Sequence, residues 1–156
     1  MPLNRLIDYL DQNKVKYEKM THTKAYTAQE VAASAHVPGK EMAKTIIVKL
    51  DGKMFMAVLP ASFNIDFEQL KRMIGADNAE LATEQEFKDR FPDCDIGAMP
   101  PFGNLYDMDV LVAEKLTEDA TISFNACNHT DMIKMSYEDY ERLVKPKVLK
   151  FSYTYD

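Results

Sequence analysis

The chain has 156 residues, 46% of them hydrophobic and 28% charged, the composition of one compact domain, expected over 1–156, that can bury a core. A formal net charge of -6 excludes a protein that grips nucleic acid across a broad basic face, because phosphate binding needs clustered Lys and Arg. No run approaches the roughly 18 apolar residues of a membrane span, and Met1-Pro2-Leu3-Asn4-Arg5 lacks the pattern of a signal peptide, so a cytoplasmic location with no membrane contact is expected.

Leu3, Leu6, Ile7 and Leu10 have helical spacing, and the helix should end near Asn13. Tyr17-Glu18-Lys19-Met20 reads as a short strand. Thr27 stands three residues before Glu30, the spacing of a capping box, ahead of Val31-Ala32-Ala33-Ser34-Ala35, with Pro38-Gly39 as the stop. From Ala43 to Leu50 and from Met54 to Leu59 run two apolar segments separated by Asp51-Gly52, a strong hairpin signal. Neither segment alternates cleanly, which predicts strands buried on both faces.

Asp66 is placed to cap a helix through Leu70 and Met73 to Gly75, and Thr83 with Glu86 repeats the capping-box spacing ahead of Phe87 and Phe91. Both helices should lie on the sheet. Residues 93–104 are dense in Gly and Pro and predict a rigid loop. Strands follow at Val110–Ala113, Thr121–Asn125 and Met132–Met135, then a helix capped by Ser136, stopped at Pro146, and an alternating tail from Val148 to Tyr155 that could add an edge strand. The order of elements predicts an α+β fold with a mixed, strongly curled, partly barrel-like sheet flanked by helices.

Cys94 and Cys127 lie far apart without a CxxC partner, so free thiols are expected and neither a zinc site nor a disulfide framework. His22, His36 and His129 lack the helical i, i+4 spacing that puts two imidazoles on one metal, and a metal site is not expected. Lys44 stands at the mouth of the most hydrophobic strand, where it either snorkels to solvent or faces a pocket as a cation for a phosphate or carbonyl oxygen. The loop Gly97-Ala98-Met99-Pro100-Pro101-Phe102-Gly103 is either a stiff turn or a frame that holds backbone groups toward a ligand. His129, in the connection Asn125-Ala126-Cys127-Asn128-His129-Thr130, is the best placed histidine for a site. A Cys127/His129 thiol pair is a weak reading, since no third group orients it.

These segments together resemble the YbaK/prolyl-tRNA-synthetase-associated family, editing domains found inside some prolyl-tRNA synthetases and as free-standing proteins. The resemblance is carried by His22 with Ala25-Tyr26-Thr27-Ala28 and Glu30, by Ala43-Lys44-Thr45 leading into Ile46-Ile47-Val48-Lys49, by the GxxxP loop from Gly97 to Pro101 extended by Phe102-Gly103, and by Phe124-Asn125-Ala126 with His129. It covers nearly the whole chain in order. It implies a trans-acting deacylase that hydrolyses the ester of a mischarged tRNA, tRNA-Pro being the best represented case, without metal or organic cofactor. Lys44, Gly97 and Pro101 would be the catalytic positions. His22, Tyr26, Thr45, Ala98, Met99, Pro100, Phe102, Gly103, Ala126, Cys127 and His129 would border the aminoacyl end. Such proteins lack an obvious protein nucleophile and lean on the substrate's ribose hydroxyl and an ordered water.

The chain departs from the family where members commonly carry Gly after Phe-Asn-Ala. It has Cys127 there, and a side chain at that point is expected to shrink or reshape the pocket. Thr45 after the lysine resembles the broader free-standing group more than the alanine-specific one, where Asn would be expected. The implied partner is the acceptor end of a mischarged tRNA, and because the net charge of -6 predicts weak tRNA affinity, an aminoacyl-tRNA synthetase or another tRNA-binding protein is expected to deliver it. The reading of another class is a non-catalytic module of the same fold that binds a synthetase or an aminoacylated tRNA end.

Overall fold

The computed structural model describes residues 2–21 and 41–154, with side chains from residue 5 onward. The predicted capping box at Thr27, its helix, and the candidate site residues His22 and Tyr26 lie outside the described residues. Helix α1, Pro2–Gln12, buries Leu6 and Leu10 one turn apart, and Val15 follows them into the core. Its last turn is closed by Lys14 at φ 57° and by the Val15 amide donating to the Leu10 carbonyl at 3.1 Å. Strand β1, Tyr17–Thr21, comes next.

Strands β2, Ala43–Leu50, and β3, Lys53–Pro60, form the expected hairpin, in register from Ala43 opposite Pro60 to Leu50 opposite Lys53. Asp51 and Gly52 turn the chain with φ of 51° and 85°, both positive as a type I′ turn requires. Strand β4, Asn64–Ile65, leads to helix α2, Phe67–Ile74, whose Asp66 cap accepts from the Gln69 amide and whose end is closed by Gly75. Strand β5, Ala79–Leu81, precedes the one-turn helix α3, Glu84–Phe87, where Thr83 and Glu86 make both bonds of the capping box. After the 93–104 loop come β6, Val110–Ala113; β7, Thr121–Asn125; β8, Asp131–Ser136; helix α4, Tyr137–Val144, capped by Ser136; β9, Lys147–Leu149; and β10, Ser152–Tyr153.

The described strands fall into a five-stranded sheet, order β5-β2-β3-β6-β9, a three-stranded sheet, β1-β8-β7, and the pair β10-β4. The larger sheet is mixed: β6 is parallel to both β3 and β9, whereas β2 is antiparallel to β3 and β5. The tail therefore contributes an edge strand, as its alternation suggested, although the pairing is made by β9.

Burial on both faces of this sheet follows from strand periodicity. Met56, Val58, Val110 and Val112 join one core cluster with Leu6, Leu10, Phe102 and Tyr140; Ala57, Leu59, Leu111 and Ala113 join another with Leu70 and Phe151. Leu70 brings α2 to the second face and Phe87 brings α3 to the first. One isolated bridge links the two larger sheets, Met42 beside Ser123, with the Ser123 amide donating to the Glu41 carbonyl at 2.9 Å. That link sets the start of β2 against the end of β7, and the candidate site forms there.

Candidate active site

Lys44 is the second residue of β2, opposite Leu59 and just past the inter-sheet bridge. Its side chain is half-buried, no carboxylate pairs with it among the described residues, and desolvation lowers its pKa from the usual 10.5. A cation partly withdrawn from water, with no counter-ion among the described residues, interacts more strongly with an anion that reaches it.

The loop from Gly97 to Gly103 is built into the core rather than laid over it. Ala98, Met99, Pro100, Pro101, Phe102 and Gly103 are buried and Gly97 alone is exposed. Phe102 packs between Phe124 and Tyr140, with ring centroids 5.5 and 5.4 Å away. The fully buried Tyr140 hydroxyl donates to the Pro101 carbonyl at 2.7 Å, fixing the height of the loop. Removing that donor in Tyr140→Phe strands a buried carbonyl, so a stability loss of about 1–3 kcal/mol is expected in thermal or urea unfolding. Gly97 has φ 88°, and its amide donates to the Met99 Sδ at 3.3 Å. A thioether is a weak acceptor, so this N–H is easily taken over by an oxygen.

The turn after β7 is bound to the same loop. The Cys127 amide donates to the Ala98 carbonyl at 2.8 Å and the Asp95 amide to the Cys127 carbonyl at 2.9 Å. Asn128 Oδ1 accepts from the Thr130 amide at 2.9 Å and the Asp131 amide at 2.7 Å, shaping the segment that carries His129. His129 lies against Gly97: a Cβ placed on Gly97 would be 3.7 Å from the imidazole Cε1.

The cysteines correct the expectation of free thiols. Cys94 and Cys127 are joined by a disulfide across a sequence separation of 33, with Cα atoms 4.3 Å apart. The two loops meet only in the folded chain, so spacing could not reveal the pair. A Cys127 sulfur in a disulfide is no nucleophile, and the thiol reading loses its group. Cys127 also adopts φ 73°, a conformation that glycine takes without strain. Its side chain is buried toward Cys94 and Tyr106 and does not line the cavity described next.

Ala43, Lys44, Thr45, Ile46, Gly97, Met99 and Asn125 enclose a cavity of about 150 Å³. The structure thus brings Lys44, Thr45, Gly97 and Met99 to one space, with His129 beside Gly97. Ala98, Pro100, Pro101, Phe102, Gly103, Ala126 and Cys127 stand behind it as support. Asn125 was not among the predicted site residues. It is nine-tenths buried, and its Oδ1, shut off from solvent, has no hydrogen-bond partner among the described residues. A buried unsatisfied acceptor is costly and rare; the sequence offered only its place in Phe124-Asn125-Ala126. A larger cleft of about 460 Å³ lies at the other end of the β2–β3 hairpin, lined among others by Lys53, Phe55 and Lys145, and contains none of the predicted site residues. Among the described residues no three His, Cys, Asp or Glu side chains stand together as metal ligands.

A family model, the aminoacyl-tRNA editing domain, matches residues 22–143, spanning all three segments of the cavity. The chain belongs to this family. The editing domain is similar to part of the proline–tRNA ligase of Staphylococcus aureus (strain Newman), 33% identical over 104 residues, covering 65% of the chain and 18% of the ligase. It is also similar to that of Bacillus mycoides (strain KBAB4), 23% identical over 101 residues with the same coverage. It therefore spans under a fifth of the length of these curated relatives. Among solved structures it shares its fold with the hypothetical protein APE2540, at a TM-score of 0.85 and 17% identity over 96% of this chain and 99% of that one. It shares it too with a protein described as a candidate trans-editing enzyme for prolyl tRNA synthetase, at 0.82 and 15% over 97% of each chain. No described helix of the editing domain is long and apolar enough to cross a membrane.

Proposed function

We propose that this editing domain is a trans-acting aminoacyl-tRNA deacylase that hydrolyses the ester of a mischarged tRNA, tRNA-Pro foremost, using the cavity between Lys44, Gly97 and Asn125. The observation that carries this reading is the half-buried Lys44 cation, unpaired among the described residues, lining one small space with Asn125 and with Gly97, whose amide is only weakly engaged. The similarity to proline–tRNA ligases and the family membership support the choice of substrate class.

An aminoacyl ester is already activated, so holding water or the neighbouring ribose hydroxyl against the carbonyl carbon supplies much of the rate. Water attacks that carbon, negative charge gathers on the carbonyl oxygen, and the ribose oxygen leaves with the proton. Lys44, partly withdrawn from water, and the Gly97 N–H stabilise the oxyanion. Asn125 lines the aminoacyl end of the cavity. Pro101, held by Tyr140, positions the Gly97 segment. Thr45 and Met99 form further walls, with His129 beside Gly97, and the confined volume limits which side chains enter. Hydrolysis is metal-independent in this scheme and runs in the cytoplasm on one domain over 1–156, with a synthetase delivering tRNA that the -6 chain binds weakly. The two larger sheets, linked at Met42 and Ser123, act as one curled, partly barrel-like wall around the cavity.

Mischarged tRNA incubated with protein and excess EDTA should lose its ester over many turnovers. tRNA that is bound yet stays charged would instead make the chain a non-catalytic module that holds an aminoacylated end.

A further inference from the structure

The disulfide between Cys94 and Cys127 is not used by the proposed chemistry, yet it ties together the two loops that form the site. Cys94 opens the segment 94–99 that carries Gly97 and Met99, and Cys127 follows the Asn125 that lines the cavity. Disulfides in cytosolic proteins are usually transient and redox-sensing rather than structural. We propose that the Cys94–Cys127 pair is a reversible thiol–disulfide latch on the candidate active site, closed and active when oxidised and loosened when reduced; its functional half rests on the deacylase reading above.

Three features give the latch its chemistry. Cys94 is partly exposed whereas Cys127 is 2% exposed, so an incoming thiolate reaches the Cys94 sulfur first. It forms a mixed disulfide there and the electron pair of the broken S–S bond leaves on Cys127 Sγ. The Tyr106 hydroxyl lies 3.2 Å from Cys94 Sγ and 3.6 Å from Cys127 Sγ, positioned to donate to that nascent thiolate. Desolvation, with Asp93 nearby, pushes the Tyr106 pKa up to about 12, so the hydroxyl keeps its proton. A second thiol then displaces Cys94, and the couple has gained two electrons and two protons. Closure is the reverse, with a low-molecular-weight disulfide accepting them as it becomes two thiols.

Release matters because Cys127 is held at φ 73°, a conformation that a residue with a Cβ adopts at a cost. Without the covalent tie, relaxation of Cys127 would break its two backbone bonds to Ala98 and Asp95 and shift both Gly97 and Asn125. Misplacing a positioned group by about an ångström can cost on the order of a hundredfold in rate, so a loss of about tenfold or more on reduction is expected.

The test equilibrates the purified protein in glutathione buffers from fully reducing to fully oxidising, then reads three quantities. Iodoacetamide quenching and intact mass should show two alkylated thiols passing to none as the buffer becomes oxidising; two alkylated thiols in every buffer would overturn the latch. Amide hydrogen exchange over 94–103 and 125–131 should rise on reduction, and unchanged exchange would overturn the loosening. Deacylation of mischarged tRNA should fall about tenfold on reduction in the native protein and become insensitive to the buffer in Cys94→Ser and Cys127→Gly; a response that persists in Cys94→Ser would overturn the coupling. If no charged tRNA is hydrolysed in any state, the deacylase reading fails, while alkylation and exchange still decide the latch.

Discussion

Replacing Lys44 by alanine is expected to slow ester hydrolysis by about 10²–10³-fold, the range for deleting one preorganised oxyanion partner, with the fold unchanged. The side chain ends a strand rather than filling the core, and no ion pair is broken among the described residues. The same lysine sets an alkaline limit. Its protonated form does the work and burial lowers its pKa below 10.5. The protein-dependent rate, corrected for spontaneous hydrolysis, should therefore decline as pH rises through that lowered value, before an ordinary lysine would lose its proton. Lys44→Arg, charged throughout, should abolish the decline whatever its absolute rate. Equal rates for wild type and Lys44→Ala would remove the cation from the mechanism.

Gly103→Ala should be the most damaging single substitution in the loop. A Cβ there would stand 2.3 Å from the Met108 carbonyl oxygen and 2.6 Å from Val110 Cγ2. The first obstacle is backbone, and it cannot swing aside, because the Met108 amide donates to the Gly103 carbonyl at 2.9 Å. Overpacking of this kind costs about 3 kcal/mol, visible as a lower urea midpoint with an unchanged slope. Gly97→Ala is the comparison: among the described residues its Cβ meets nothing closer than 3.7 Å, so the strain of φ 88° is the main cost, about 1–2 kcal/mol, and the chain should fold while hydrolysing more slowly. A Gly103→Ala midpoint equal to wild type would contradict the close approach.

Local chemistry was readable wherever a residue type answers a local need. Asp51-Gly52 announced the hairpin, Asp66 and Gly75 bracketed α2, and Thr83, Glu86 and Ser136 capped their helices as the spacing required. Strands β4 and β5, of two and three residues, were not visible, because so short a run has no period and is defined by its partners β10 and β2. Lys44 and the Gly97 loop were legible as unusual residues but not as neighbours; the Met42–Ser123 bridge sets β2 beside β7, and the Cys127 amide bond to the Ala98 carbonyl ties the turn after β7 to that loop. Phe102 drew notice as part of a motif, whereas its packing against Phe124 and Tyr140 makes it a core residue that holds the loop in place. Asn125 and the disulfide escaped for a related reason. An orphaned acceptor and a sulfur pair 33 residues apart are properties of tertiary structure, and neither leaves a mark in composition or spacing.

The most direct measurement is a deacylation panel in which tRNA-Pro, charged separately with alanine, cysteine, serine, threonine and proline, is incubated with the purified protein and ester loss is followed against buffer alone. Rapid loss from at least one mischarged species, with prolyl-tRNA spared, is the predicted result. Persistence of all four mischarged esters, or loss of the prolyl ester at the same rate, would contradict it.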